Sequence, residues 1–257
     1  MPALELNSPE WGHLEDAYGT ADQIPQLLAD LEGGSEAALD ELFSCICHQM
    51  SVYSASIAAL PHLIAIAYRL EANPKLQRDV LCLAGAICES RDYARELERS
   101  EYADAAIAAL PDAIRLSREV LGKATDHHAG IYLINSIAAF NQMQEVARVV
   151  EGFSDEEFPL ECPSCSVDLY VWPCPEGLFV AAEDPVAYAK TARTFVSKGL
   201  SGESTRESDL QWLLAESANA PSLADVRSKL PFLFGDASCP KCGHTFALFD
   251  ELAKQAS

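Results

Sequence analysis

Lysine and arginine are missing from the first 68 residues of this chain, which carry ten Asp and Glu. Over all 257 residues, 18 Lys and Arg stand against 39 acidic side chains, a formal charge of −21. A surface of that sign repels phosphate backbones, so direct nucleic-acid binding is disfavoured and a basic partner is attracted. Enzyme signatures are missing too. No G-x-S-x-G, P-loop, G-x-G-x-x-G or H-E-x-x-H occurs. Gly199-Leu200-Ser201-Gly202 lacks the elbow spacing and reads as a loop. We assign no catalytic residue and expect a non-enzyme. The N-terminus, MPALELNSPEW, has neither a basic nor an apolar signal region, so no signal peptide is expected. The most apolar run, 51–68, carries no formal charge, but three serines, Pro61 and His62 interrupt it. It reads as a buried helix rather than a membrane span.

What is present begins with cysteine. Two knuckles, Cys162-Pro163-Ser164-Cys165 and Cys239-Pro240-Lys241-Cys242, start 77 residues apart. Each C-x-x-C turns back on itself, so both of its sulfurs reach one point. Four such thiolates make a closed tetrahedral site for a structural Zn(2+). Gly243 suits the left-handed turn after the second knuckle, whereas Ser166 occupies the equivalent place in the first. The spacer is longer than the roughly 15–20 residues usual in a zinc ribbon. A pair of disulfides and unconnected thiols remain as alternatives, and a redox C-x-x-C lacks its usual βαβ surroundings. Cys45, Cys47, Cys82 and Cys88 lie in apolar helical stretches and read as core. Together the thiols suggest a reducing, cytoplasmic compartment.

A repeat organises the first half. Ile57-Ala58-Ala59-Leu60-Pro61 recurs as Ile107-Ala108-Ala109-Leu110-Pro111, a period of 50. Helical patterning at that period suggests stacked helix pairs of the HEAT or armadillo type. Leu39, Leu42, Phe43 and Ile46 share one helical face, with Ser35 as the N-cap. The helix over 51–70 is apolar on two faces and is expected at the centre. Residues 75–90 read as the first helix of the next pair, and 127–150 as a third pair turning near Asn141. Residues 9–31, with Trp11, Leu14 and Tyr18, read as an apolar cap. His48, Gln49 and Tyr53 are candidates for a polar network at the turn between paired helices. After Gly152 the pattern changes. Residues 151–162 read as an acidic loop, 167–172 and 177–180 as strands, and 185–199 and 206–230 as helices, with Glu183-Asp184 capping the first of these. The fold expected is mainly α: a HEAT-like helical repeat stack over 1–152, then over 153–257 a split zinc ribbon carrying a helical insertion at 185–230. His127 and His128, next to Asp126, read as a helix start, and His244 as a spare to a complete set of four cysteines.

Several segments together resemble a group of bacterial HEAT-like-repeat proteins with a zinc-ribbon-like tail. They are WGHLEDAYGTADQIPQLLADL at 11–31, HQMSVYSASIAALPHLI at 48–64, CPSCSVDLYVW at 162–172, GLFVAAEDP at 177–185 and CPKCGHTFAL at 239–248. Some such proteins resemble immunity proteins that neutralise secreted nucleases. The resemblance implies zinc ligands at Cys162, Cys165, Cys239 and Cys242, no catalytic residue, and a cognate toxin as partner, with a DNase as one case. The acidic N-terminal half then supplies the contact candidates Asp16, Asp22, Glu36, Asp40 and Glu41. The alternative expectation is a non-enzymatic adaptor, and a third is an enzyme of unrecognised type.

Overall fold

A computed structural model describes residues 2–188, 190–199 and 206–255. The described chain is mainly helical, with a small sheet part. It divides into two units: 1–121 with 133–147, and 122–132 with 148–257.

In the first unit the leading segment is tied down by side chains. Trp11 is buried in a short 3-10 turn, Pro9–His13, and its indole N–H donates to the Glu5 carbonyl at 3.0 Å. His62 Nε2 lies 2.7 Å from the Leu4 carbonyl. A carbonyl only accepts, so this nitrogen carries the proton. A two-residue hairpin follows, β1 (Glu15–Asp16) and β2 (Gly19–Thr20). Then come helices α1 (Ile24–Glu32), α2 (Glu36–Ile46), α3 (Ser54–Arg69), α4 (Pro74–Glu89), α5 (Tyr93–Arg99) and α6 (Ala103–Leu121). The expected Ser35 cap is present: its Oγ accepts from the Ala38 N–H at 3.2 Å. Asn73 caps α4 in the same way, with Pro74 at the first helical position, where a missing N–H does no harm.

Helix α3 is the centre. Ile57, Leu60, Leu63, Ile64 and Ile66 are all buried, and the helix packs on α1, α4, α5 and α6. Residues 74–89 return against α3 rather than opening a separate pair. The repeated pentapeptide falls mid-helix both times, with Pro61 inside α3 and Pro111 inside α6. Leu60 and Leu110 are both buried; Ile57 is buried but Ile107 is 44% exposed. Helix α7 (His127–Phe140) begins at the expected place, with Asp126 Oδ1 accepting from the Ala129 N–H at 2.7 Å. The turn near Asn141 is also present. Asn141 donates to the Ile137 carbonyl, and Gln142 takes φ 60° before α8 (Gln144–Glu151).

The second unit contains an antiparallel sheet of β3 (Phe158–Glu161), β4 (Asp168–Cys174), β5 (Gly177–Ala181) and β6 (Arg193–Phe195), in that order. Two expectations need correction. The stretch 151–162 is not all loop: Phe158 and Leu160 alternate inward as β3. Pro159 is tolerated because β3 pairs on one side only. The described part of 185–199 is not helical. Thr191, Thr194, Phe195 and Val196 favour extended backbone, and Phe179↔Phe195 pairing completes the edge of β5. The helical insertion is therefore confined, among described residues, to α9 (Glu207–Ala218) and α10 (Ala224–Leu233), separated by a 3-10 turn at Pro221–Leu223. Glu183 and Asp184 accordingly cap no helix there. Leu200, Ser201 and Gly202 lie outside the described residues. The chain closes with β7 (Asp236–Ser238), β8 (Thr245–Ala247) and α11 (Leu248–Gln255).

Candidate metal centre

Each knuckle sits between two antiparallel strands. The first links β3 to β4 and the second links β7 to β8. Their backbones make the same bonds. Cys162 N–H donates to the Val167 carbonyl and Ser166 N–H to the Cys162 carbonyl, both at 2.9 Å. Cys239 N–H donates to the His244 carbonyl and Gly243 N–H to the Cys239 carbonyl, again at 2.9 Å. Closing such a turn needs a left-handed residue after the second Cys. Gly243 supplies it at φ 75°, and Ser166 adopts the same region at φ 53°. Serine there carries a strain that glycine avoids.

The two turns meet. Cys162 Sγ lies 3.7 Å from Cys242 Sγ, and Cys165 Sγ lies 3.9 Å from Cys239 Sγ. All four sulfurs lie within 4.8 Å of one another. A disulfide needs about 2.05 Å, so no pair is bonded. Four sulfurs each about 2.3 Å from a central ion stand roughly 3.8 Å apart at tetrahedral vertices. The spacing therefore fits a metal ion and does not fit oxidised cysteine. Cys162 and Cys239 are buried, while Cys165 and Cys242 face outward. Burial pushes the Cys162 thiol up. The N–H groups of Ser164 and Cys165, with the thiols of Cys165 and Cys239, outweigh it and bring Cys162 down to about 7. At Cys165 the Val167 N–H favours the thiolate, but burial and the neighbouring thiols push it up to about 12. The Cys162 thiolate thus forms readily while Cys165 resists, which is the situation a bound cation reverses.

The edge strand leading into this site is held by a side chain. Gln255 Oε1 accepts from the Glu161 N–H at 2.6 Å, and its Nε2 donates to the Glu161 carbonyl at 3.0 Å. Helix α11 thereby occupies the open edge of β3 beside Cys162. Sequence reasoning offered no sign of this clip. Trp172 is half-buried in β4, and its indole N–H has no partner among the described residues. His244 stays outside the sulfur cluster and stacks on Phe246. His127 faces the Ser222 carbonyl at 3.3 Å and joins no metal-ligand group among the described residues.

The acidic contact candidates separate by environment. Asp16 is buried, 5% exposed, and its carboxylate accepts from the Tyr18 and Gly19 N–H groups. It is a turn-forming residue and is withdrawn from the contact set. Asp22 accepts from the Thr20 hydroxyl, and Glu36 pairs with Lys75 at 2.8 Å. Asp22, Glu36, Asp40 and Glu41 are all exposed. The anticipated His48–Gln49–Tyr53 network is replaced by another. His48 meets the edge of Tyr18, whose hydroxyl lies 2.8 Å from Ser44 Oγ. Tyr18 itself is 64% exposed rather than part of an apolar cap.

No helix among the described residues is long and apolar enough to cross a membrane. Comparison of the chain with models of protein families, with curated proteins and with solved structures found no match.

Proposed function

We propose that the four thiols hold one structural zinc ion and that the chain is an immunity protein, which binds a cognate secreted toxin and covers its active site. The observation that carries this reading is the charge asymmetry: ten acids and no Lys or Arg across residues 1–68. A nuclease, with a DNase as one case, presents cationic groups to phosphate. An acidic protein that meets those groups gains fast, salt-sensitive association. No chemistry is required of it. The helical unit reads as a HEAT-like stack, with α1, α3 and α6 forming one row and α2 and α4 the other; their packing supports this. Such a stack offers a broad surface. The knuckle hairpins read as the halves of a zinc ribbon split by α9 and α10. A shell of four cysteines leaves no coordination position for water or substrate, so the ion's role is to hold 162–165 against 239–242. Free thiols throughout suit the cytoplasm.

An adaptor with an unrelated protein partner is the second reading. The exposed side chains of Val186, Tyr188 and Phe195 favour it, since large apolar groups left in solvent suit a second contact. The test expresses the chain together with candidate secreted nuclease toxins and measures survival and complex formation. Protection with a stable complex supports immunity. A toxin that neither binds nor is neutralised transfers the assignment to the adaptor.

A further inference from the structure

We propose that Tyr18, His48 and Met50 form a preorganised docking surface for a basic protein, with Tyr18 and Met50 as its apolar anchors. It rests on the immunity reading only for the partner's identity.

Two loops build it. Tyr18 stands at the tip of the β1–β2 hairpin, which backbone bonds immobilise. The buried Asp16 carboxylate accepts from the Tyr18 and Gly19 N–H groups at 2.8 and 3.0 Å. Ala17 N–H donates to the Cys45 carbonyl at 2.9 Å, and Glu15 N–H to Ser54 Oγ at 2.9 Å. The hairpin tip is thereby fixed to the end of α2 and the start of α3. The second loop is His48-Gln49-Met50-Ser51. Gln49 and Met50 both take the left-handed region, at φ 49° and 61°. His48 and Ser51 close the turn as an antiparallel bridge, and Ser90 Oγ donates to the Met50 carbonyl at 2.6 Å.

Two successive left-handed residues are the pattern that Asn-Gly satisfies most easily. This chain places Gln and Met there instead and accepts the strain. The turn conformation does not need the Met50 side chain, which is 44% exposed. Tyr18 is exposed further and is held by Ser44 and His48. Both anchors have little backbone freedom left to lose, which lowers the cost of binding. Tyrosine is also enriched among residues that dominate interfaces, and its ring face receives a guanidinium or ammonium well. Exposed Glu15 and Glu41 belong to the same segment, which has no Lys or Arg of its own. Exposed Arg91 follows Ser90 on the Met50 side, so the acidic charge that selects a basic occupant lies on the Tyr18 side, and the rigid anchors fix where it sits.

The probe is an oligo-arginine peptide, titrated into isotope-labelled full chain at about 0.15 M salt. Saturable amide shifts should centre on Tyr18, Gly19, Gln49, Met50 and Ser51. Tyr18→Ala and Met50→Ala should each weaken binding about fivefold or more, while Asp30→Asn, at the far end of α1, should change it by less than about twofold. Shifts spread over the acids of α1 and α2, or equal losses from Asp30→Asn and Tyr18→Ala, overturn the surface. The toxin separates this from the broader reading. Peptide binding here without a toxin complex would leave the surface standing and remove immunity. A toxin complex indifferent to both alanine variants would leave immunity standing and remove the surface.

Discussion

Cys162 Sγ and Cys242 Sγ stand 3.7 Å apart, although 80 positions separate them in the chain. The pairing crosses knuckles: a buried sulfur from one meets an exposed sulfur from the other. Neither knuckle completes a tetrahedral set alone. Their meeting brings 162–165 against 239–242, so that a bound ion would staple the chain across β4–β6, α9 and α10.

Purified protein should contain one zinc per chain. Chelation or Cys162→Ser should loosen the 158–255 region while leaving the helical signal of α1–α6 largely intact, because the ion ties the two ends of 162–242. Metal analysis with circular dichroism and hydrogen exchange reads both. Zinc-free protein with an unchanged second unit would remove the staple.

The two positions that follow the knuckles should respond oppositely to substitution. Gly243→Ala has open space around the new Cβ but must hold φ 75°, so it should cost about 1 kcal/mol of stability. Ser166→Gly relieves a strained φ of 53° and should cost nothing measurable or stabilise slightly. Thermal or denaturant midpoints of the zinc-loaded variants check the pair. Equal losses in both would mean that side-chain contacts, rather than backbone conformation, set these positions.

Leu60→Asp should destabilise the first unit by about 3–5 kcal/mol, since an unpaired carboxylate would replace a fully buried side chain at the centre of α3. Ile107→Asp, at the exposed counterpart of Ile57, should cost less than about 1 kcal/mol. Denaturant unfolding distinguishes them. Comparable losses would contradict the exposure of Ile107.

The parts legible in the sequence are those specified locally. C-x-x-C geometry is set within four residues, so both knuckles can be placed. Ser35 as cap and the apolar faces of α2 and α3 follow from helical spacing alone. The misreadings depend on distant partners or on a tight turn that redirects its side chains. Residues 193–195 become a strand because β5 presents an edge to them. Tyr18 reads as core from its apolar neighbours, yet the hairpin fixed by Asp16 turns it outward. Asp16 reads as surface charge when only composition is weighed, although Asp16-Ala17-Tyr18-Gly19 places Asp first and Gly fourth, the preference of a tight turn whose N–H groups bond that carboxylate. The Gln255 clip on Glu161 spans 94 positions and follows no pattern.

Capture of the toxin by the acidic helical unit is tested by the association rate with the cognate toxin as a function of salt. Reversing Asp22, Glu36, Asp40 and Glu41 to Lys should slow association about tenfold or more and flatten its salt dependence, with little change in stability. Survival of toxin-exposed cells should fall in parallel. Unchanged rates, salt slope and survival would contradict the claim that the acidic helical unit captures the toxin.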